Sequence, residues 1–555
     1  MRKAFLIILA VLLATSLFVS CGGDPAPVPP VPPAPTEYKI NVTQVTGGTL
    51  TPEKTTYIES DTLQVIHLEI TPDEDYYFHG VTVEGNATYL FQRIYIPKGA
   101  KGDITLTPKF EKKPEEVVYI DVTWTPEHGI QSTEESTDSF SLLTKDDVEW
   151  KDGFYVLTGD VKITDRINVT GDAKLILCDG RILTAEKGIT VADGKSLTIY
   201  GQKNSSGALK TGAIDAGFAA IGGTGEADSG DMFFKGGIIE VTGGDSGAGI
   251  GGGINHKSGD IEIYRGQIKA TGGDSAPGIG AGRDSDGENI TIYDGNVTAN
   301  GGSFGCGIGA GFSGCGGNIT IHEGTVIATG GLSNSGIGDG GYTEKLGKIT
   351  ITGGKVIATA GWYGAGIGGS GGTMGGEITI SGGDITATGG TGAAGIGGGT
   401  HKSATKITIS GEMTAIVAVG GSGPGEAGAG IGGGSYCTGG EITISGGNIT
   451  ATGGSDGGAG IGGGTTCNDG GIITISGGTV FATGGNGNAD GIGRGDRLGY
   501  DTAHGTLKIT DNHVVLFGGK DRDHKAELSY VVNEPYSYPE GDDKTLSYME
   551  IITNP

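Results

Sequence analysis

Between Ile221 and Ile492 the chain alternates apolar and polar residues in short bursts broken by glycine pairs. The unit is plainest in Glu377-Ile-Thr-Ile-Ser-Gly-Gly-Asp-Ile-Thr-Ala-Thr-Gly-Gly390 and in its near copy, Glu441 to Gly454. Ile378 and Ile380 face one way and Thr379 the other, the period of a half-buried strand, and Ile and Thr both suit a pleated surface. The glycine pairs mark bends. A third burst, Gly-Ile-Gly-Gly-Gly or a near variant, recurs ten times, with its isoleucine at Ile221, Ile250, Ile279, Ile308, Ile337, Ile367, Ile396, Ile431, Ile461 and Ile492. The steps of 29, 29, 29, 29, 30, 29, 35, 30 and 31 residues have the period of stacked repeats. Three strands and three bends per repeat predict an all-β fold, a parallel β-helix with turns of about 29 residues stacked ~4.8 Å apart. The isoleucines line its axis, each contributing roughly 1.5–3 kcal/mol on burial. No turn closes its own core, so stability comes from neighbours. A nine-residue calcium-filled roll, faintly suggested by Gly484-Gly-Asn-Gly-Asn488, lacks the nine-residue repeat it needs.

Composition agrees with this picture. Of 555 residues 115 are glycine, too many for an ordinary domain, yet Ile, Val and Thr recur at too fixed a period for disorder. The formal charge of −27 disfavours nucleic acid as a partner.

The rest of the chain divides in order. Residues 1–20 carry Arg2 and Lys3 followed by an apolar run, the pattern of an export signal, and the run is short for a bilayer span. Phe18-Val-Ser-Cys21 resembles the lipobox of bacterial lipoproteins, which implies a lipidated Cys21 held in the bilayer of the cell envelope, at the outer membrane or cell surface. Residues 21–37 form a stiff proline-rich stalk. Residues 38–113 read as a small all-β module. Gly47-Gly48, Pro72 before an aromatic pair, Ile96-Pro97 and a closing strand ending in Phe110 resemble the internalin-type B-repeat, which implies a spacer or partner-binding unit. Residues 114–147 are a linker, with one strand over Val117–Trp124 and a polar loop over Gln131–Ser139. The β-helix is expected over 148–519, with Trp150 and Phe154 covering its first turn, and the tail 520–555 closes its far end.

Gly159-Asp-Val-Lys-Ile-Thr-Asp-Arg-Ile-Asn-Val-Thr-Gly171, Leu197-Thr-Ile-Tyr-Gly-Gln202 and the Ala-Gly-Ile-Gly-Gly-Gly series resemble the carbohydrate-binding β-helix proteins of bacterial surfaces. The resemblance implies binding of polysaccharide or a host surface glycan, with calcium as an optional companion, rather than cleavage; a structural spacer or a protein-binding adhesin is the alternative, and a polysaccharide lyase or hydrolase a more distant one. A hydrolase needs paired carboxylates at fixed separation. The adjacent pairs Asp146-Asp147 and Asp542-Asp543 fall outside the repeats, and no cofactor is required.

Periodicity offers a binding strip instead. Tyr264, Tyr293 and His322 follow the Ile-Thr-Ile strands of three successive turns, and a turn spacing of ~4.8 Å is close to one sugar ring. Trp362 and Tyr363 stand in a loop where other repeats carry Asp245, Asp274, Ser303 or Thr391, and are a second candidate contact. Asp245 and Asp274 could share a calcium ion, though two carboxylates are not a full ligand set. A threonine lattice matching ice is interrupted by Glu240, Lys269, Val417 and Val419. Cys437 and Cys467 each lie six residues beyond a phrase isoleucine, so equivalent sites on adjacent turns predict a disulfide. Cys306 and Cys315 are a second candidate pair, and Cys178 a buried thiol.

Overall fold

A computed structural model describes residues 36–90, 92–212, 214–467, 469–496, 505–510, 514–519, 528–532, 536–537 and 547–553. The export signal, Cys21, most of the stalk, and Asp542-Asp543 lie outside the described residues. Every regular element among the described residues is a strand.

The chain falls into two compact units, one of Met1–Thr43, Thr51–Glu69 and Val83–Leu106, the other of Gln44–Leu50, Ile70–Thr82 and Thr107–Pro555. In the first, Glu37–Val42 pairs antiparallel with Thr56–Ile58 and parallel with the start of Ile104–Lys112. Arg93–Ile96 pairs antiparallel with both Gln64–Pro72 and Thr88–Leu90. Ile40, Tyr57, Ile66, Leu68, Ile94, Ile96, Ile104 and Leu106 are among its buried side chains.

The second unit contains the parallel β-helix. Its ten Gly-Ile-Gly strands, preceded by Glu149–Trp150, Ile167–Val169 and Ile189–Val191, form a 13-stranded sheet in which Ile221 pairs with Ile250, Ile250 with Ile279, and so on to Ile492. The Ile-Thr-Ile and Ile-Thr-Ala-Thr strands stack in the same way within a second sheet. All ten phrase isoleucines are fully buried in one continuous core. The predicted period therefore holds turn by turn. The 35-residue step before Ile431 is explained by a small hairpin, Ser422–Gly423 against Glu426–Ala427, inserted in one loop.

The glycine after each phrase isoleucine is required by geometry. From Gly222 to Gly493 these ten have φ between +127° and +145°, a region side chains rarely enter. From Gly222 to Gly462, an added Cβ would stand only 1.8–2.1 Å from a carbonyl oxygen of the next turn.

On the outer face, Thr291, Thr320, Thr350, Thr379, Thr408, Thr443 and Thr474 form one unbroken row. Beside it Lys348, Glu377, Lys406 and Glu441 alternate in sign on successive turns, with Lys348 Nζ 3.8 Å from Glu377.

The ends depart from expectation in detail. The coil begins earlier than residue 148, because Phe140–Leu142 already pairs with Phe154–Val156. Trp150 is fully buried, its indole N–H donating to the Asp147 carbonyl at 3.0 Å. Phe154 instead faces outward into a satellite cluster with Tyr119, Tyr200 and Ile176. At the far end Tyr548–Thr553 returns antiparallel to Ile472–Thr483 and buries Met549 and Ile551 in the main core.

The strand expected in the linker is present, but the polar run after it is no loop. Val117–Thr125 and Gly129–Thr137 make a nine-pair antiparallel hairpin. The Ser- and Glu-rich run lacks apolar alternation because its outer strand is exposed and the partner strand supplies the packing residues.

Replacing Ile396 with Asp places an unpaired charge on the dry axis, and a loss of about 4 kcal/mol or more is expected by chemical denaturation. Ile396→Val should cost only about 0.5–1.5 kcal/mol. Equal stability of the Asp variant and the wild type would mean that this isoleucine does not point inward.

Candidate functional site

The three-residue strip exists, but it is not open. Tyr264 and Tyr293 stack with ring centroids 4.6 Å apart, and Tyr293 and His322 at 5.4 Å with planes only 6° apart. Tyr264 follows Ile261-Glu-Ile263, and Tyr293 and His322 follow the Ile-Thr-Ile strands paired in line with it, so register stacks them. Across this ladder lies the hairpin. Trp124 stacks on His322 at 4.1 Å and leans on Tyr293 at 5.1 Å, in the place a sugar ring would need. Lys235 anchors the hairpin one turn before Tyr264, its Nζ 2.6 Å from Asp121 and 5.2 Å from the Tyr264 ring. Tyr119 packs on Tyr200 at 4.7 Å. All three strip residues are half-buried. Burial lowers the His322 pKa and raises those of Tyr264 and Tyr293. The expectation of an exposed sugar strip is thus corrected: the rings seat the hairpin. The signal lay in Val117–Trp124, an aromatic-bearing strand with no core of its own, and in Leu175-Ile-Leu177, where an unbroken apolar run announces a strand covered on both sides.

Trp362 and Tyr363 do stand in the open. Trp362 is 64% exposed and Tyr342, in the neighbouring loop, 70%. The loop after each Ile-Thr-Ala-Thr strand and the loop after each Gly-Ile-Gly strand meet along one edge, joined by bonds such as Gly371 N–H to the Ser333 carbonyl at 2.9 Å. Leu332 and Trp362 occupy one position on successive turns, with the Trp362 N–H donating to the Leu332 carbonyl. Tyr342 sits in a left-handed conformation, φ +64°, with its ring laid over Gly372, where an added Cβ would come within 3.1 Å. Phe304, Phe312 and Tyr342 follow one another at 6.2 and 5.9 Å. Phe304 and Leu332 are also exposed. The result is an apolar, ring-rich patch across three turns, rimmed by Arg283 with Asp284 and by Lys345 with Asp286. Such patches mark interaction surfaces.

The other candidates have structural tasks or stand alone. Asp147 accepts from the Thr144 N–H and hydroxyl, both at 2.6 Å, while Asp146 pairs with Lys145. Asp245 accepts from its neighbour Ser246 at 3.3 Å, and the Asp274 carbonyl accepts the Phe304 N–H. Among the described residues no group of three or more His, Cys, Asp or Glu side chains is placed to hold a metal ion.

Neither expected disulfide is made: Cys306, Cys315, Cys437 and Cys467 are all free thiols. Their sulfurs are directed at other partners. Cys306 Sγ lies 3.2 Å from Ser335 Oγ and from the Asp339 carbonyl, Cys467 Sγ accepts the Gly495 N–H at 3.4 Å, and Cys437 is turned toward Ser403. Burial pushes the Cys178 thiol up to about 11 and the Cys315 thiol to about 12, so both are poor nucleophiles.

Six segments, residues 290–312, 319–341, 349–372, 378–400, 442–465 and 473–493, match the Beta helix repeat family. Each runs from an Ile-Thr-Ile strand through the following Gly-Ile-Gly phrase. No curated protein and no solved structure matches the chain.

Truncating Trp124 to Ala removes a ring pair of about 0.5–1.5 kcal/mol plus its buried area. Amide exchange over 117–137 should quicken by roughly tenfold or more while the coil's melting temperature stays unchanged. Unaltered protection would show that other contacts hold the hairpin. Thiol titration of unreduced protein in denaturant should count all four of Cys306, Cys315, Cys437 and Cys467, along with Cys178. Two fewer thiols would restore one bridge.

Proposed function

We propose that this is a non-catalytic polysaccharide-binding protein of the bacterial cell envelope, lipid-anchored at Cys21 and held out by its stalk and β module, that grips glycan through the loop edge around Trp362. The observation that carries this reading is the exposed patch of Trp362, Tyr363, Tyr342 and Phe304. Aromatic faces suit the C–H faces of sugar rings, and turns ~4.8 Å apart offer about one contact per ring along a glycan chain. The stacked fold supports it further, because its backbone is held by turn-to-turn bonds and the loop residues are free to serve a ligand. Calcium is not required in this reading.

A second reading, a protein-binding adhesin, is favoured by the exposed Leu332, which precedes Trp362 at the same loop position one turn earlier. Both place the working surface on the same edge.

The test is retention of the unlipidated chain on a panel of insoluble and soluble polysaccharides, with and without calcium, comparing wild type with Trp362→Ala and Tyr342→Ala. Loss of one hot-spot aromatic should weaken binding by about 2 kcal/mol, roughly 30-fold. Wild-type retention by both variants would remove the patch from the site. No retention of wild type on any glycan, with capture of a surface protein that depends on Trp362, would favour the adhesin. A new reducing end or unsaturated product would reveal an enzyme.

A further inference from the structure

On the bend between the Ile-Thr-Ile and Ile-Thr-Ala-Thr strands, away from the Trp362 edge, lies a groove of about 270 Å³ running across several turns. Its floor is glycine: Gly266, Gly295 and Gly324, each with positive φ. Its side chains are polar, with Arg265 and Gln267 on one turn and Asp294 and Asn296 on the next. The next two turns carry Gly-Gly at this bend, Gly353-Gly354 and Gly382-Gly383, so Arg265, Asp294 and Glu323 set three successive turns apart, although Gly411-Glu412 departs again further along.

The groove is closed at one end by a built wall. Asn204 and Ser205 belong to a loop that the later repeats lack, and Ser205 is held at φ +51°, a conformation a side chain adopts only when its surroundings enforce it. The enforcement is visible. One Asp179 carboxylate accepts the Asn204 N–H and side-chain amide and the Ser206 N–H and hydroxyl, at 3.0 to 3.1 Å. Burial would raise the Asp179 pKa, but these four bonds hold it below the ordinary value. Ser205 Oγ in turn accepts the Gly237 N–H at 2.7 Å. On the open side, Arg265 makes only a long 3.5 Å contact with Ser132 of the hairpin and no ion pair among the described residues. No hydrogen bond within the protein engages the Gln267 or Asn296 amides among the described residues.

We infer that this groove is a second binding site, specific for one or two neutral sugar residues. Its size is near the lower bound of small-molecule sites, ~300 Å³. No apolar side chain lines it, so it does not suit lipid or an aromatic ligand. Asp294 within it, Glu323 on the next turn and a net charge of −27 repel phosphates and uronates. What it offers is a fork donor, a carboxylate acceptor and two amides that both give and take, the set that pairs with vicinal hydroxyls. This inference shares the ligand class of the proposed function but not its surface.

The test is saturation-transfer NMR and calorimetry on the unlipidated full chain with glucose, galactose, mannose, N-acetylglucosamine and their β-linked disaccharides, with galacturonate as the anionic probe. Wild type and Trp362→Ala should bind at least one neutral probe equally, whereas Arg265→Ala and Asn296→Ala each weaken it about tenfold or more. Both substituted residues are exposed, and an unchanged melting temperature verifies folding. Loss of small-sugar binding in Trp362→Ala but not in Arg265→Ala, no binding of any neutral probe, or tighter binding of galacturonate would each overturn the inference. Because polysaccharide retention through Trp362 is read separately, either site can fail alone.

Discussion

From Ile221 onward the coil rests on one close approach, between the glycine after each phrase isoleucine and the carbonyl of the same glycine one turn on. With that oxygen about 2 Å from where a Cβ would stand, no other residue fits, and the positive φ it needs is glycine's as well. The turn closes tightly there, so the isoleucines meet on a narrow axis that excludes water. Ten of the 115 glycines stand at this one position. The same demand on backbone spacing recurs at loop glycines such as Gly302, Gly331, Gly361 and Gly390, where a Cβ would stand 1.6–1.7 Å from a carbonyl oxygen of the turn before, and it leaves the exposed loop side chains, Trp362 among them, free to vary.

That separation explains what could be read in advance. The period of Ile221 to Ile492, the three strands per turn and the inward isoleucines were legible because each turn repeats the same physical requirement. The hairpin was not, because Gln131–Ser139 carries no apolar alternation and its strand exists only through pairing with Val117–Thr125. Nor could sequence spacing alone aim the sulfurs of Cys437 and Cys467, since equivalent positions fix the backbone and not the side chain. Trp362 was legible as an oddity within a loop series. Its neighbours Tyr342 and Phe304 were not, because two loops far apart in each repeat meet only in the folded turn.

The aromatic ladder shows how ambiguous a stacked series remains. Tyr264, Tyr293 and His322 have the spacing of a sugar platform and also that of a seat for Trp124, and the second use is the one the fold makes. The decisive residue lies well over a hundred positions upstream. Rings left uncovered after such internal uses, like those near Trp362, are the better guides to a ligand.

The alternating charges Lys348, Glu377, Lys406 and Glu441 bear on a hazard particular to chains of near-identical turns. During folding, a strand can dock on the next turn but one, looping out a whole repeat, and glycine and isoleucine would fit equally well in the wrong place. Along this row such an omission sets Glu377 beside Glu441, or Lys348 beside Lys406, and like charges directly opposite are unfavourable. Over these four turns the charge row thus opposes the loss of a repeat in a coil whose core cannot tell one turn from the next.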